Sequence, residues 1–386
     1  MRITGVVKIA ESAESWTIRH EREWAELIGS VKDAGWFLPL HWPRSVLGNL
    51  SSMRPGASSE YDLLWSGNIR GLTRYLADIL VPSVPGSAPS WLRAPVSSLF
   101  FHRSRELKDA GPGPPAPFEQ WFFINGILTN QDVARMNASY LADLFGRPIT
   151  ALWNSTDGAG IDLVECTTEK LGATSEDVDR DFHLLLNAIA HPVNQRVVLI
   201  SHSQGTLITA VLLRLIGGVY RHTMTGRQRD LSTSDREAIR RHAAAHGLAI
   251  KPERLKPVTP TELAKLEVYC FANCASQMSY VDPDLALPKI ESFGNEHDLV
   301  ARLGMLAPHP DERNIEIAGP RFRHDGAWGH LLNAHYLVDI DKAQRQRTQA
   351  GNAPPGTAPY VLIKGTAPAG TVPRLFRYLD GGGAIS

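Results

Sequence analysis

The sequence predicts an α/β fold, a mostly parallel β-sheet with helices on both faces. Two observations predict it. From residue 119 onward, segments typical of buried strands alternate with helical segments, and such alternation favours a parallel sheet covered on both sides. In addition, the apolar run 197–200, in which three of four residues are β-branched, passes through a short polar turn into the apolar segment 207–216. A buried strand that feeds a buried helix has this pattern.

The alternation gives a definite order of elements. The first half is predicted as strand 119–126, helix 130–145, strand 148–153, helix 176–191, strand 196–201 and helix 204–216. Further strands are expected at 266–272, 289–293 and 313–318, the last of these closing the core sheet.

Ser203 stands at the apex of the polar turn, in the sequence Ser201-His-Ser-Gln-Gly205. A serine hydroxyl is a weak nucleophile, and it reacts only when the backbone presents it to a base. A sharp strand-to-helix turn brings the residues two before and two after the serine close together, so both should be small, as Ser201 and Gly205 are. The pattern predicts a nucleophile at Ser203, and a purely structural turn or helix N-cap is the alternative.

A carboxylate that orients the base is expected in a loop after a later strand. Asp298 follows the predicted strand 289–293 and is the first choice. Asp282 and Asp284, after the preceding strand, are alternates. In the structural alternative, Asp298 caps a short helix.

The general base is expected on a loop after the last strand, where its Nε2 can face the serine. His330 fits this position best, because a glycine-rich loop precedes it and a helical run follows. His324 lies closer to the strand and stays open as an alternative. So does His335, although it would lie more than one turn inside the helix and face elsewhere.

Two backbone N–H groups should face the oxygen of a tetrahedral intermediate. One is predicted at Gln204, directly after the serine. The other is predicted at Ile127, after the Asn125-Gly126 pair that ends the strand 119–126, because a glycine lets the backbone approach closely. An ordinary strand-to-helix turn is the alternative for this Asn-Gly pair.

Over residues 119–345 these motifs resemble serine hydrolases of the α/β-hydrolase superfamily, in its lipase and esterase branch. Three segments carry the resemblance: Asn125-Gly-Ile127, Ser201–Gly205 and Gly329-His330. Ser201 stands where the family usually has glycine, and Asn125 stands where many members have histidine.

The resemblance implies an α/β-hydrolase fold and cleavage of carboxylic esters through an acyl-enzyme, with no cofactor and no metal. A small-molecule or lipid ester is the expected substrate. A phospholipase, thioesterase or acyltransferase would use the same residues and is an alternative. The rival from another class is a non-catalytic α/β-hydrolase-like binding module.

Composition divides the chain further. The Pro- and Gly-rich run 108–118 predicts an extended linker. Residues 1–107 hold six of the nine tryptophans. These tryptophans predict an accessory segment that packs on the core. Alternatively, its aromatic side chains line an acyl-binding channel or touch a lipid surface. The segment 218–264 carries two predicted helix starts, the capping box Ser234–Glu237 and the run Thr259–Glu262 with proline at the first helical position. It predicts a helical insertion placed to act as a lid. Residues 346–386 are expected to form a loose tail apart from one short strand-like run, Tyr360–Lys364.

The overall charge is zero, with 40 basic and 40 acidic residues in 386. This balance argues against a nucleic-acid partner.

No run approaches the roughly 18 apolar residues of a membrane span, and no signal peptide is evident, so a cytoplasmic location is the default expectation. Three cysteines argue against a disulfide framework, and Cys270 and Cys274 are predicted to be small buried hydrophobes. No oligomeric state is predicted.

Overall fold

The computed structural model describes residues 44, 45, 47, 48, 59–61, 105–109, 117–126, 129, 131–153, 175–225, 256–308, 311, 314–350 and 359–383. The strands are β1 (Arg105–Asp109), β2 (Glu119–Ile124), β3 (Ile149–Trp153), β4 (Arg196–His202), β5 (Leu266–Phe271), β6 (Gln277–Met278), β7 (Lys289–Asn295), β8 (Glu316–Ile317), β9 (Arg321–His324) and β10 (Val361–Leu362). The α-helices are α1 (Gln131–Phe145), α2 (Ser175–Ala190), α3 (Gly205–Thr225), α4 (Pro260–Leu263) and α5 (Val338–Ala350). A π-helical segment, Leu332–Leu337, precedes α5, and short 3₁₀ helices span Ala301–Leu303 and Leu375–Gly381.

The main sheet has eight strands in the order β1-β3-β2-β4-β5-β7-β9-β10. The six central strands are parallel, and the edge strands β1 and β10 pair antiparallel to their neighbours. The predicted α/β class with a mostly parallel sheet is confirmed.

Helices cover both faces of this sheet. In β4, Val197 and Leu199 point to one face and pack in the core beneath α2 and α3. Val198 and Ile200 point to the other face and pack with α1, the π-helical segment and the C-terminal residues. Because successive residues of a strand face opposite sides, one buried apolar strand supplies both cores.

The strand order reverses between β2 and β4. The chain passes from β2 through α1 to β3 on one side, then crosses back through α2 to β4 on the other. In open parallel sheets, binding sites form at the carboxyl ends of the strands that flank such a reversal. The two strands are in register, since Ile124 of β2 lies opposite Ser201 of β4, so their following loops meet at one edge.

The last core strand was predicted at the wrong place. Residues 313–318 were expected to close the core sheet, but Glu316–Ile317 pair only with β6 in a separate two-stranded sheet. The strand that joins the main sheet is β9, beside β7. The chain turns between them at Gly319, which has a φ of +84°, and a β-carbon there would lie 2.1 Å from the carbonyl oxygen of Ile290.

In the C-terminal region, the predicted strand-like run 360–364 contains β10, which pairs with β9. The rest of the region differs from the prediction of a loose tail from residue 346. Helix α5 runs on to Ala350, and Leu375, Phe376, Tyr378 and Leu379 are buried against the sheet. The Arg374 side chain bonds the buried Glu267 carboxylate at 2.8 Å, and Tyr378 donates to the same carboxylate at 2.6 Å. The sequence signal for this packing was the apolar run 375–379, which is interrupted only by one arginine.

Two further predicted boundaries need adjustment. Lys108 and Asp109, expected in the linker, belong to β1 and pair with β3. Helix α3 continues through Val219 and Tyr220, which stay buried, into the start of the predicted insertion. Most of the predicted insertion lies outside the described residues, which leave out 226–255. The same holds for the accessory segment, of which 1–43, 46, 49–58 and 62–104 are left out. Their predicted roles therefore stay predictions. Within the described ranges, each helix is too short or too polar for a bilayer-crossing span.

Two local predictions are confirmed. Thr259 caps α4 through a capping box in which its side chain accepts from the Glu262 N–H, and the Glu262 carboxylate accepts from the Thr259 N–H. Cys270 and Cys274 are buried free thiols in the apolar core.

Candidate functional site

Ser203 lies in the turn between β4 and α3, at the edge of the sheet where the strand order reverses. Its φ is +57°, a left-handed conformation that non-glycine residues rarely adopt. Its N–H donates to the carbonyl oxygen of Phe271 at 3.0 Å, and its own carbonyl accepts from the Thr206 N–H at 2.8 Å. The turn is therefore held by hydrogen bonds on both sides.

Two glycines make this turn possible. A β-carbon at Gly205 would lie 2.6 Å from the Ile124 carbonyl oxygen, so helix α3 can begin this close to β2 only with glycine. A β-carbon at Gly126 would lie 2.4 Å from the Ser203 Cβ and 3.1 Å from its Oγ. Ser201, at the position predicted to be small, is fully buried, and its hydroxyl donates to the Cys270 thiol at 3.4 Å.

His330 is the histidine that reaches Ser203. Its Nε2 lies 2.9 Å from the Ser203 Oγ, within hydrogen-bond distance. The loop that carries it follows β9 and turns at Gly329, which has a φ of +100°. A β-carbon at Gly329 would lie 2.5 Å from the His335 ring, so only glycine fits there.

Asp298 completes a continuous hydrogen-bonded chain. Its Oδ2 and Oδ1 lie 2.9 Å and 3.1 Å from the His330 Nδ1. Oδ1 also accepts the Val300 N–H at 2.8 Å, and Oδ2 accepts the Tyr336 hydroxyl at 2.6 Å. The bond from the Val300 N–H is a local turn of the kind that a capping aspartate makes. The same carboxylate, however, also faces the His330 imidazole.

The alternative residues lie elsewhere. Asp282 accepts hydrogen bonds from the Tyr220 hydroxyl and the Leu285 N–H, and Asp284 is exposed. His324 lies in β9 with its Nδ1 3.8 Å from an Asp339 oxygen. His335 accepts the Leu331 N–H on its Nδ1. Of the candidates, the structure brings together Ser203, Asp298 and His330.

The site is buried, and burial shifts the pKa values of two side chains around it. Ser203 and Asp298 have no exposed surface, and His330 is 2 % exposed. Burial, and to a lesser extent the negative Asp298, raise the pKa of Tyr336 well above its usual range, so its hydroxyl stays a donor. Burial and the nearby His330 hold the pKa of His202 well below its usual range.

Sequence reasoning missed His202, although it lies within the turn motif itself. Its Nε2 lies 2.8 Å from the His330 carbonyl oxygen, and the two imidazole rings are 4.7 Å apart and inclined by 31°. A neutral imidazole has one N–H, and that of His202 donates a hydrogen bond to the His330 carbonyl oxygen. Tyr336 was missed as well, since nothing in the sequence links it to Asp298, 38 residues earlier.

Only one of the two predicted N–H donors can be located. Gln204 follows Ser203 directly, is buried, and precedes the first turn of α3, whose N-terminal end carries partial positive charge. Ile127 lies outside the described residues. Its neighbour Gly126 lies against Ser203, because a β-carbon at Gly126 would lie only 2.4 Å from the Ser203 Cβ.

Chemically, the arrangement can move a proton from the Ser203 hydroxyl to an imidazole that a buried carboxylate orients. Within the described part of the chain, no cluster of three or more His, Cys, Asp or Glu side chains could hold a metal ion. No protein-family model matches the chain, and no curated protein matches it either.

Proposed function

We propose that this protein is a serine hydrolase that cleaves carboxylic esters through an acyl-enzyme, with an α/β-hydrolase fold. One observation carries the proposal: Ser203, His330 and Asp298 form a buried hydrogen-bonded chain with 2.9 Å between serine and histidine and 2.9 Å between histidine and aspartate. The strained serine between a strand and a helix supports it, because that context distinguishes a nucleophile elbow from a chance match to the pattern.

In this mechanism, the Ser203 Oγ attacks the ester carbonyl carbon while the His330 Nε2 takes the hydroxyl proton. Asp298 holds the Nδ1–H tautomer and stabilises the imidazolium as it forms. His330 then gives the proton to the leaving alcohol. A water molecule, deprotonated by the same nitrogen, hydrolyses the acyl-enzyme and restores Ser203.

Charge develops on the carbonyl oxygen during both attacks. The Gln204 amide, at the N-terminal end of α3, is one proposed donor to that oxygen, and the helix dipole adds favourable potential there. The Ile127 amide is the proposed second donor. Gly126, pressed against Ser203, supports this placement, because it brings the backbone after β2 to the serine.

The test is labelling with a fluorophosphonate, which forms a stable adduct with an activated serine. We expect one adduct per chain, mapped to Ser203 by peptide mass, and no adduct in Ser203→Ala. Ser201→Ala is the matched control, since Ser201 is equally buried two residues earlier but its hydroxyl donates to the Cys270 thiol. It should be labelled like the wild type.

Esters of graded acyl length, with and without an acceptor alcohol, then separate hydrolysis from acyl transfer. An unlabelled Ser203 in a folded sample, both without and with detergent to open a closed site, would contradict the proposal and favour a binding module.

A further inference from the structure

Two residues from the N-terminal part of the chain lie against the segment that follows His330. Glu60 is 5 % exposed and Tyr61 is fully buried. Their partners are backbone and side-chain groups of residues 333–335, more than 270 positions away. The contact links the predicted accessory region to the loop that carries the proposed base.

Glu60 caps the π-helical segment. Its two carboxylate oxygens accept the N–H groups of Asn333 at 2.8 Å and Ala334 at 2.9 Å. N–H groups at the start of a helix have no partner within the helix. Leu331 occupies the cap position, and its apolar side chain makes no capping hydrogen bond. A carboxylate from outside the segment takes over that role, and its charge favours the positive end of the helix.

Tyr61 acts through His335. The Tyr61 hydroxyl lies 3.2 Å from the His335 Nε2 and also donates to the Leu47 carbonyl oxygen. On the other side of the same ring, Nδ1 accepts the Leu331 N–H at 2.9 Å. Because Leu331 directly follows His330, this chain of contacts holds the peptide next to the proposed base.

A third contact holds the loop from its other end. The Arg44 guanidinium lies 4.1 Å from the centre of the Trp328 ring, two residues before His330. Trp328 in turn stacks on His297 at 4.2 Å, next to Asp298. A cation over an aromatic face is attracted by the negative face of the ring.

We propose that Arg44, Glu60 and Tyr61 form a clamp on the loop of His330, and that Glu60 and Tyr61 are positioning residues for this base. The inference rests on the proposed function and deepens it. His330 has to meet Ser203 and Asp298 at the same time, while its loop turns at two residues with positive φ, Gly326 and Gly329. Such a loop needs outside contacts to keep the imidazole in place, and a displacement of about 1 Å can cost roughly 100-fold in rate.

The Glu60 charge adds an electrostatic effect. Burial raises the pKa of Glu60 to about 7, opposed by backbone hydrogen bonds, those of Asn333 and Ala334 among them, and by the attraction of His330. The ionised form stabilises the imidazolium that His330 becomes during reaction. The other titratable groups that face His330 are Asp298, His202 and His335, of which the two histidines have lowered pKa values and stay neutral.

The structure offers a matched control for Glu60. Glu291 is also 5 % exposed, has a pKa raised to about 7, and caps a helix it does not belong to, through the N–H groups of Arg374 and Leu375. It lies in β7, four residues before the end of the strand, or about 13 Å from the edge that holds the site. Glu60→Gln and Glu291→Gln therefore remove the same kind of cap at two places.

The experiment compares Glu60→Gln, Tyr61→Phe and Glu291→Gln with the wild type, first by fluorophosphonate labelling and then by ester hydrolysis. We expect Glu60→Gln to lower the labelling rate and kcat by about 10- to 100-fold with little change in KM. Its kcat/KM profile should also lose the contribution of a group that ionises near pH 7, because glutamine does not titrate. Tyr61→Phe should lower kcat by a smaller factor, and Glu291→Gln should keep wild-type kcat and pH profile.

Hydrogen exchange provides a measurement independent of activity. The amides of Asn333 and Ala334 should exchange faster in Glu60→Gln than in the wild type. If Ser203 of the wild type is not labelled, the proposed function fails, and this exchange alone decides the clamp: unchanged exchange overturns it.

If Ser203 is labelled but folded Glu60→Gln and Tyr61→Phe keep wild-type kcat and pH profile, the clamp is wrong while the function stands. Should Glu60→Gln fail to fold, Tyr61→Phe decides, since it removes a single hydroxyl. Wild-type kcat in that variant would overturn the clamp.

Discussion

The Tyr336 hydroxyl donates a hydrogen bond to Asp298 Oδ2 at 2.6 Å and accepts one from the Asn295 N–H at 3.2 Å. Tyr336 thereby connects the end of β7 to the carboxylate that faces His330. The Val300 N–H and the Tyr336 hydroxyl each hold one oxygen of Asp298, and both oxygens also face the His330 Nδ1. Asp298 is thus oriented by the fold before any substrate binds.

Tyr336→Phe removes this hydrogen bond and little volume. A hydrogen bond to a charged group contributes about 1.5–3 kcal/mol, so we expect kcat/KM for an ester to fall by about 10- to 100-fold. Tyr360→Phe is the control: this tyrosine is equally buried, and its hydroxyl has no hydrogen-bond partner among the described residues. Equal activity of the two variants would contradict the role of Tyr336.

His202→Phe keeps an aromatic ring beside His330 but loses the donor to its carbonyl oxygen. The lost neutral hydrogen bond is worth about 0.5–1.5 kcal/mol, so kcat should fall by about 2- to 10-fold in steady-state kinetics. His183→Phe, at another buried histidine on α2, should leave kcat unchanged. A wild-type rate in His202→Phe would show that His330 holds its place without this contact.

Gly126→Ala should abolish labelling of Ser203. The added β-carbon would lie 2.4 Å from the Ser203 Cβ, so one of the two backbones has to move. The matched change is Gly383→Ala, whose β-carbon would meet nothing within 4 Å. Circular dichroism checks that Gly126→Ala is folded, and normal labelling in it would refute the close packing of this turn.

Phe376→Ala should destabilise the protein by about 3–5 kcal/mol, the usual cost of removing a buried aromatic ring. Phe376 is 5 % exposed and stacks on Phe293 of β7 at 5.6 Å. Val361→Ala, at a half-exposed position, should change the free energy of unfolding by less than about 0.5 kcal/mol. Urea unfolding distinguishes the two, and equal values would mean that the C-terminal region is loose after all.

Glu291 should make stability depend on pH. Burial raises its pKa from 4.5 in the unfolded chain to about 7, so the folded state binds the proton more tightly. Stability from this group is then greatest below pH 4.5 and is lost as the pH rises to about 7, by up to about 3 kcal/mol. Relative to Glu291→Gln, the unfolding free energy of the wild type should fall across this window. A constant difference between pH 4.5 and pH 7 would contradict the raised pKa.

The predictable features were those in which neighbouring residues carry the whole signal. The turn around Ser203 has its strand, small residues and helix within about twenty positions, and the capping box Thr259–Glu262 spans four. The choice of β9 over 313–318 was not predictable from periodicity, because β9 is short and carries two arginines. Its place in the sheet depends on pairing with β7.

By itself, the sequence determined the α/β class, the mostly parallel sheet, and the position of Ser203 in a turn between a buried strand and a buried helix. These follow from local apolar patterns and from small residues at fixed spacing. Only the tertiary structure decided that His330 rather than His324 or His335 meets Ser203, and that Tyr336, His202 and Glu60 surround it. Those contacts join residues up to 274 positions apart, and a hydrogen bond between distant segments leaves no periodic trace in either one.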